Sequence, residues 1–223
     1  MRNIAVILAG GTGSRVGGNT PKQLLPLEDG RSILEHSVDA FEAAPFIDEI
    51  AIVMHPDWIA EAQRLCSQHN WQKVQQIIPG GNERWESSWR AIQAYQDRKD
   101  CCLLLHDAAR PFVSQAIIGT VCKALETHEA VTVAVPVTDT LYKVESQESR
   151  VESIPSRADY MRAQTPQAFH LETIKRAYEK ALEAGSIVAT DDAGIVHKYL
   201  PKVPIYIVPG EENNRKITYK EDL

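Results

Sequence analysis

The sequence predicts an α/β fold in which a mostly parallel sheet carries helices on both faces. Short apolar segments alternate with amphipathic segments along most of the 223 residues, and this alternation is typical of βαβ units. Residues 4–9 read IAVILA, apolar throughout, as a parallel strand covered on both faces requires. The chain contains 43% hydrophobic and 24% charged residues, the composition of an ordinary globular protein.

The predicted strands are short apolar runs bounded by turn residues: 4–9, 49–54, 74–78, 101–106, 130–137 and 203–208. Four segments between them have helical periodicity: 32–44, 57–69, 83–96 and 114–127. In the third, Trp85, Trp89 and Ile92 share one helix face, which is more often part of a core than a platform for a ligand. Together these elements predict a Rossmann-like sheet whose ligands bind beyond the carboxyl ends of its strands.

Residues 139–157 interrupt this alternation. Two stretches of alternating apolar and polar residues flank a polar turn, which predicts a protruding β-hairpin. The hairpin has too few apolar residues for a core of its own, so we expect it to pack on a second copy of the chain as a dimerisation arm. We therefore predict a single domain over residues 1–223, with an arm at about 139–157, and a homodimer formed through that arm.

Charge and cysteine content exclude several classes of protein. Lysine and arginine number 24 against 30 aspartates and glutamates, a net charge of −6, so we expect no nucleic-acid partner. No apolar run is long enough to span a membrane, and no signal-peptide pattern is present. Four cysteines without a CxxC motif suggest neither a disulfide framework nor zinc. We expect a cytoplasmic protein with no membrane partner.

A glycine-rich loop follows the first predicted strand. Gly10, Gly11 and Gly13 allow backbone N–H groups to turn toward a phosphate, and the cations Arg15 and Lys22 follow closely. Phosphoryl chemistry needs fixed positive charge around the phosphate oxygens. The alternative is a tight turn with two solvated cations.

Other candidates have equally ordinary alternatives. Asp107 follows a predicted strand and suits Mg²⁺, but a turn or capping residue is as good an interpretation. Asn82, after Gly81, is a helix N-cap or lies beside a planar ring. Thr190, followed by two aspartates, is a good helix start, and Lys216 alone suggests only a solvated lysine.

Seven motifs together resemble one family: LAGGTGSR with PK, GGNER, HDAARP, DTLYK, QTPQ, TDDA and NNRKIT, in that order. The resemblance is to the cytidylyltransferases that act on polyol phosphates, and it covers about residues 4–223. It implies transfer of CMP from CTP to a polyol phosphate, release of pyrophosphate, and dependence on Mg²⁺ or another divalent cation. The substrate would be 2-C-methyl-D-erythritol 4-phosphate, for isoprenoid precursors, or ribitol 5-phosphate, giving CDP-ribitol for cell-surface polymers.

The resemblance also implies roles for individual residues. The catalytic cations would be Arg15, Lys22, Arg157 and Lys216. The nucleotide would contact Leu8, Ala9, Gly10, Gly11, Gly13, Gly81, Asn82 and Ser88. The polyol-phosphate side would contain Asp107, Arg110, Thr140, Thr165 and Thr190. Asp107 would also hold the metal, and Arg157 would act in the site of the partner subunit.

The motifs divide between the two substrates. Asn82, the segment 154–157 and Met161 are closer to the ribitol enzymes, whereas HDAAR, RAQTPQ and TDDA are closer to the methylerythritol enzymes. Other classes fit less well. The second predicted strand lacks the acidic residue of a nicotinamide-dependent oxidoreductase, and no Asp-x-Asp marks a glycosyltransferase. A non-catalytic nucleotide-binding module would be expected to lose Lys22, Asp107 or Lys216.

Overall fold

A computed structural model describes residues 1–11, 20–145, 150–185, 187 and 189–222. The strands of these ranges are β1 (Arg2–Ala9), β2 (Glu49–Met54), β3 (Val74–Pro79), β4 (Cys101–Asp107), β5 (Ala130–Pro136), β6 (Lys143–Val144), β7 (Val151–Ser153), β8 (Met161–His170) and β9 (Tyr206–Pro209). Seven of them form one sheet in the order β3-β2-β1-β4-β8-β5-β9. Only β8 runs antiparallel to its neighbours, β4 and β5. The predicted mostly parallel sheet is confirmed.

Helices cover both faces of this sheet. They are α1 (Ile33–Glu42), α2 (Ile59–His69), α3 (Arg84–Tyr95), α4 (Gln115–Ala124), α5 (Leu171–Glu183) and α6 (Asp192–Tyr199). Strand β1 shows why two layers are needed, since its side chains alternate between faces. Ala5 and Ile7 pack in the core that includes residues of α1, α2 and α4. Ile4 and Val6 pack in the opposite core, with residues of α3, α5 and α6.

The predicted elements agree with the structure within three residues at each end, and α1 begins with the capping box of Ser32 and Glu35. The structure also contains β8 and α5, which were not among the elements predicted from the sequence. Pro166 argues against an interior strand, but the pairing of β8 with β5 passes from Gln167 to Gln164 between adjacent β5 residues. Residues 165 and 166 therefore form a bulge, where proline is tolerated.

The hairpin is present and separate from the main sheet. Strands β6 and β7 pair only with each other, antiparallel, among the described residues, and the turn at 146–149 lies outside those residues. Tyr142, Val144, Val151 and Ile154 are 47–62% exposed. The predicted hairpin is thus confirmed as a separate two-stranded sheet whose apolar side chains are largely exposed within the described part of the chain, and dimerisation remains a prediction.

Candidate active site

A cavity of about 330 Å³ opens at the carboxyl ends of β1, β3 and β4. It is lined by Leu8, Gly10, Gly11, Lys22, Gln23, Gly81, Asn82, Glu83, Arg84, Ser87, Asp107, Ala109, Lys216 and Thr218. An adjoining cavity of about 170 Å³ shares Arg84, Asp107 and Lys216 with the first. A group of charged side chains, around the buried Asp107, therefore lies where the two cavities meet.

One wall of the larger cavity is the loop between β3 and α3. A Cβ at Gly81 would lie 2.2 Å from the Cβ of Glu86, so a side chain at this position cannot fit without moving helix α3. Ser87 Oγ accepts a hydrogen bond from Gly81 N at 3.1 Å, and the Glu86 carboxylate accepts one from Asn82 N at 2.6 Å. These bonds fix a bare backbone beside the cavity, where a planar base can approach it.

This loop changes two of the sequence-based interpretations. The N-cap of α3 is Glu83, not Asn82, and Asn82 lines the cavity. Ser88 is fully buried and is not among the described lining residues, whereas Ser87 is. Because successive helical residues are separated by about 100°, Ser87 faces the cavity while Ser88 faces the interior. The structure therefore places Ser87, and not the predicted Ser88, at the cavity, and a nucleotide contact by either serine stays a prediction.

The glycine-rich loop is described only in part, since Gly13 and Arg15 lie outside the described residues. Ala9 is buried at the end of β1, and its carbonyl accepts a hydrogen bond from Gln23 Nε2 at 3.3 Å. Gln23 Nε2 also donates to Gly11 O at 2.9 Å. This side chain holds the beginning of the loop against the turn that carries Lys22.

Lys22 is a buried cation at the cavity. Only 9% of the residue is exposed, and Nζ donates a hydrogen bond to Ile217 O at 2.7 Å. A solvated turn lysine would not be held in this way. Its ammonium is fixed against the segment that also carries Lys216.

Asp107 ends strand β4 and lies between two cations. Arg84 Nε donates to Oδ1 at 3.0 Å and Lys216 Nζ donates to Oδ2 at 2.6 Å. Burial alone would raise the pKa of Asp107, but Arg84 and Lys216 outweigh it and hold the pKa below its ordinary value. Asp107 is therefore a fixed negative charge at neutral pH.

Arg84 connects this carboxylate to a second one. Its Nη1 donates to Asp192 Oδ2 at 2.7 Å, and Tyr178 OH donates to Asp192 Oδ1 at 2.6 Å. Burial opposes the charge of Arg84, but the two aspartates outweigh burial and raise its pKa. Arg84 and Asp192 occur in the GGNER and TDDA motifs, yet sequence reasoning gave them no role, because their contact joins residues 108 positions apart.

The smaller cavity contains the predicted polyol-phosphate residues Arg110, Thr165 and Thr190. Thr165 Oγ1 accepts a hydrogen bond from Asp107 N at 3.1 Å, so it is tied to the charged group. Thr140 and Arg157 differ from these residues. Both are exposed, the Arg157 guanidinium donates to Thr138 O, and neither is among the lining residues of these cavities in the described chain.

Comparison with known proteins gives a consistent result. The IspD family model, 2-C-methyl-D-erythritol 4-phosphate cytidylyltransferase, matches residues 3–223. A protein of that name from Thermobifida fusca is 47% identical over 226 residues, which cover 100% of this chain and 90% of the relative. A bifunctional ribulose 5-phosphate reductase/CDP-ribitol pyrophosphorylase from Haemophilus influenzae is 41% identical over 223 residues, covering 100% of this chain and 47% of that longer protein. The crystal structure of 4-diphosphocytidyl-2C-methyl-D-erythritol synthase from Anaerococcus prevotii superposes with a TM-score of 0.83 at 28% identity, covering 99% of this chain and 94% of that one.

Proposed function

Because the chain belongs to the 2-C-methyl-D-erythritol 4-phosphate cytidylyltransferase family, we propose that it transfers CMP from CTP to 2-C-methyl-D-erythritol 4-phosphate. The products are CDP-methylerythritol, an isoprenoid precursor, and pyrophosphate. The structural observation that supports this proposal is the meeting of two cavities at Arg84, Asp107 and Lys216. One cavity has the bare backbone and the cation that a nucleoside triphosphate needs, and the other can accept a second phosphate.

The reaction needs no protein nucleophile. An oxygen of the acceptor phosphate forms a bond to the α-phosphorus of CTP, and the bond from that phosphorus to the β-phosphate oxygen breaks. A phosphate monoester is mostly dianionic at neutral pH, with a second pKa of about 6, so no general base is required. The obstacle is repulsion between two polyanions, which positioned cations overcome.

The chain's cations fit the two halves of this task. Lys22 lines only the larger cavity, where it can neutralise charge on the α-phosphate. Lys216 lines both cavities, so it can hold the acceptor phosphate against the nucleotide. Arg15, which lies outside the described residues, is proposed to act with Lys22 because the family resemblance assigns it that role.

Asp107 is the proposed ligand for Mg²⁺. Mg²⁺ usually takes one or two carboxylates and completes its shell with phosphate oxygens and water. Asp107 is ionised and faces the cavity, and the described residues contain no group of three His, Cys, Asp or Glu side chains that could hold a metal without substrate. One carboxylate beside a triphosphate cavity therefore fits. When bound, the cation would supply further neutralisation of the triphosphate.

Ribitol 5-phosphate is the alternative acceptor. The bifunctional relative whose name includes CDP-ribitol pyrophosphorylase favours it, as does Asn82, which lines the nucleotide cavity without the charge of an aspartate. A non-catalytic nucleotide-binding module is disfavoured, because Lys22, Asp107 and Lys216 are all present and gathered at the cavity.

We also propose that the enzyme is a cytoplasmic homodimer. The exposed apolar side chains of the arm favour a partner. Arg157 and Thr140, which are not among the described lining residues of the two cavities of their own chain, would complete the site of the other subunit. All four cysteines are free, which suits a reducing compartment. No helix within the described ranges combines the length and apolar character needed to cross a membrane.

The deciding experiment is pyrophosphate release from CTP, measured in parallel with methylerythritol phosphate and ribitol 5-phosphate. We expect the higher kcat/KM with methylerythritol phosphate and a strong preference for CTP over UTP, because a site that pairs with the cytosine amine leaves polar groups unpaired beside uracil. A higher kcat/KM with ribitol 5-phosphate would establish the alternative acceptor. Release with neither acceptor would refute the proposed function.

A further inference from the structure

The loop after β9 carries Lys216 to Asp107 without a helix or strand of its own. Residues 210–217 have no regular secondary structure, yet Lys216 Nζ lies 2.6 Å from Asp107 Oδ2. An irregular segment is positioned by individual hydrogen bonds rather than by a repeating ladder. Those bonds therefore decide where the ammonium lies.

Asn214 makes four of them from a fully buried position. Its Nδ2 donates to Gln164 Oε1 at 3.1 Å and to Thr165 O at 2.9 Å. Its carbonyl accepts a hydrogen bond from Arg110 Nη1 at 2.8 Å, and its N–H donates to Glu211 O at 3.0 Å. One side chain thus ties the loop to strand β8.

Gln164 forms the other half of this connection. Its Nε2 donates to Glu211 O at 2.8 Å, so the same amide contacts both the beginning and the middle of the loop. A Cβ at Gly210 would lie 2.5 Å from Gln164 Oε1 and 2.9 Å from Val133 Cγ1. The loop can pack against Gln164 this closely only because residue 210 has no side chain.

Asn214 is also connected to Asp107, through Thr165. Thr165, whose carbonyl accepts from Asn214, also uses its hydroxyl to accept from Asp107 N. The amides of Asn214 and Gln164 therefore hold the loop that carries Lys216 in a fixed position relative to the strand end that carries Asp107. Both groups are neutral, so they set this geometry without adding charge beside the two phosphates.

We infer that Asn214 and Gln164, the amide clasp, are positioning residues that place Lys216 for the acceptor phosphate. This inference rests on the proposed function. It assigns Asn214 no contact with substrate, because Asn214 lines neither cavity and acts through the loop, whereas Gln164 also lines the smaller cavity. It predicts that loosening the clasp weakens use of the acceptor and leaves CTP binding intact.

The test compares Asn214→Ala with Asn213→Ala, the same change at the preceding, exposed position. A displacement of about 1 Å can cost about 100-fold in rate, so we expect kcat/KM for the acceptor to fall by about that factor in Asn214→Ala. The dissociation constant of CTP should stay within about twofold, and Asn213→Ala should match the wild type. If Asn214→Ala does not fold, Gly210→Ala, whose Cβ would lie 2.5 Å from Gln164 Oε1, disturbs the clasp without changing a residue that lines either cavity and carries the same expectation. Equal kcat/KM in a folded clasp variant and the wild type would overturn the inference.

A double-mutant cycle separates positioning from general loosening. In a Lys216→Met background, Asn214→Ala should cost little more, since the group that it positions is gone. Fully additive losses would contradict action through Lys216.

A substrate-free readout keeps this result independent of the proposed reaction. In protein with ¹³C-methylated lysines, the Lys216 resonance, assigned by its loss in Lys216→Arg, should shift in Asn214→Ala and not in Asn213→Ala. An unchanged resonance in Asn214→Ala would refute the inference, whereas an inactive wild-type protein with the expected shift would refute only the proposed function.

Discussion

At the scale of single residues, Lys22 is the position where a substitution should distinguish most directly between an effect on catalysis and an effect on CTP binding. Its ammonium is buried and held by a backbone carbonyl, so it is already oriented before substrate arrives. A fixed charge stabilises the transition state more than the ground state when negative charge accumulates during the reaction.

Lys22→Ala should therefore reduce kcat far more than CTP affinity. If the loss resembles that of an oxyanion donor, it amounts to about 2.7–4 kcal/mol of transition-state stabilisation. Steady-state kinetics and calorimetric CTP binding measure the two effects. Lys73→Ala is the matched control, because Lys73 also donates through Nζ to a backbone carbonyl, that of Ala44, but does not line either cavity. Near-normal turnover in Lys22→Ala would remove Lys22 from the mechanism.

Arg84 gives a prediction about stability and pH. Arg84→Met leaves Asp107 and Asp192 without their shared partner, and breaking a buried ion pair costs about 3–5 kcal/mol. Since cations depress the pKa of Asp107 below its ordinary 3.8, this stabilisation is fully present at neutral pH. It declines as the pH falls below about 4 and through the lower folded-state pKa.

The measurement is urea unfolding of wild type and Arg84→Met at pH 7 and in acid. The difference in free energy of unfolding should be largest at pH 7 and smaller in acid. The control, Arg64→Met, removes an exposed pair with Glu61 and should leave the unfolding curve near that of the wild type. A difference that grew as the pH fell would contradict the assigned role of Asp107.

At the scale of elements, a substitution in the loop before α3 can test whether the bare backbone of this loop forms the wall of the cavity that binds the nucleotide. Gly81→Ala places a methyl group 2.2 Å from Glu86 Cβ, and overpacking of this kind costs about 1–3 kcal/mol. Because Glu86 also holds Asn82 N, we expect the strain to weaken CTP binding. Calorimetry should show a higher dissociation constant for CTP. Gly119→Ala, which crowds Phe46 at 3.1 Å far from the cavity, should not change it. Unaltered CTP affinity in Gly81→Ala would argue against this wall.

The elements also show what the sequence can and cannot predict. Apolar strands such as β1 and capped helices such as α1 can be predicted from local sequence patterns. Strand β8 does not, because its buried polar residues are satisfied by distant partners: Gln167 Nε2 donates to Thr132 Oγ1 and to Asp191. Helix α5 has apolar residues at helical spacing, so its pattern was available in the sequence.

The same distinction holds for the site. The approximate places of Lys22, Asp107 and Lys216 follow from motifs at strand ends, where ligands of such sheets bind. The connection from Arg84 to Asp192 depends on the packing of both α3 and α6 against α5 and cannot be read from local spacing. Which of Ser87 and Ser88 lines the cavity depends on the rotation of helix α3 about its axis, which no motif specifies.

At the scale of the whole molecule, the arm is the part of the described structure whose apolar side chains most need a partner surface. Its two short strands pair only with each other among the described residues, and an isolated hairpin is marginal in water. Tyr142, Val144, Val151 and Ile154 expose about half of their surface or more. A twofold exchange of arms would cover this surface. It would also bring Arg157, which is not among the described lining residues of the cavities of its own chain, to those of the partner.

Subunit exchange between two inactive variants tests this arrangement. If Arg157 acts in the partner's site, a mixed dimer of Lys22→Ala and Arg157→Ala has one site with both lesions and one site with neither. Activity should then partly return, toward a quarter of the wild-type value, because half of the dimers are mixed and half of their sites are intact. Pairing Lys22→Ala with Asp107→Ala, two lesions that line the same cavity of one chain, is the control. It leaves every site of the mixed dimer with one lesion and should not restore activity. If native mass spectrometry shows complete exchange and the Arg157 mixture stays inactive, Arg157 acts within its own subunit and the shared site is wrong.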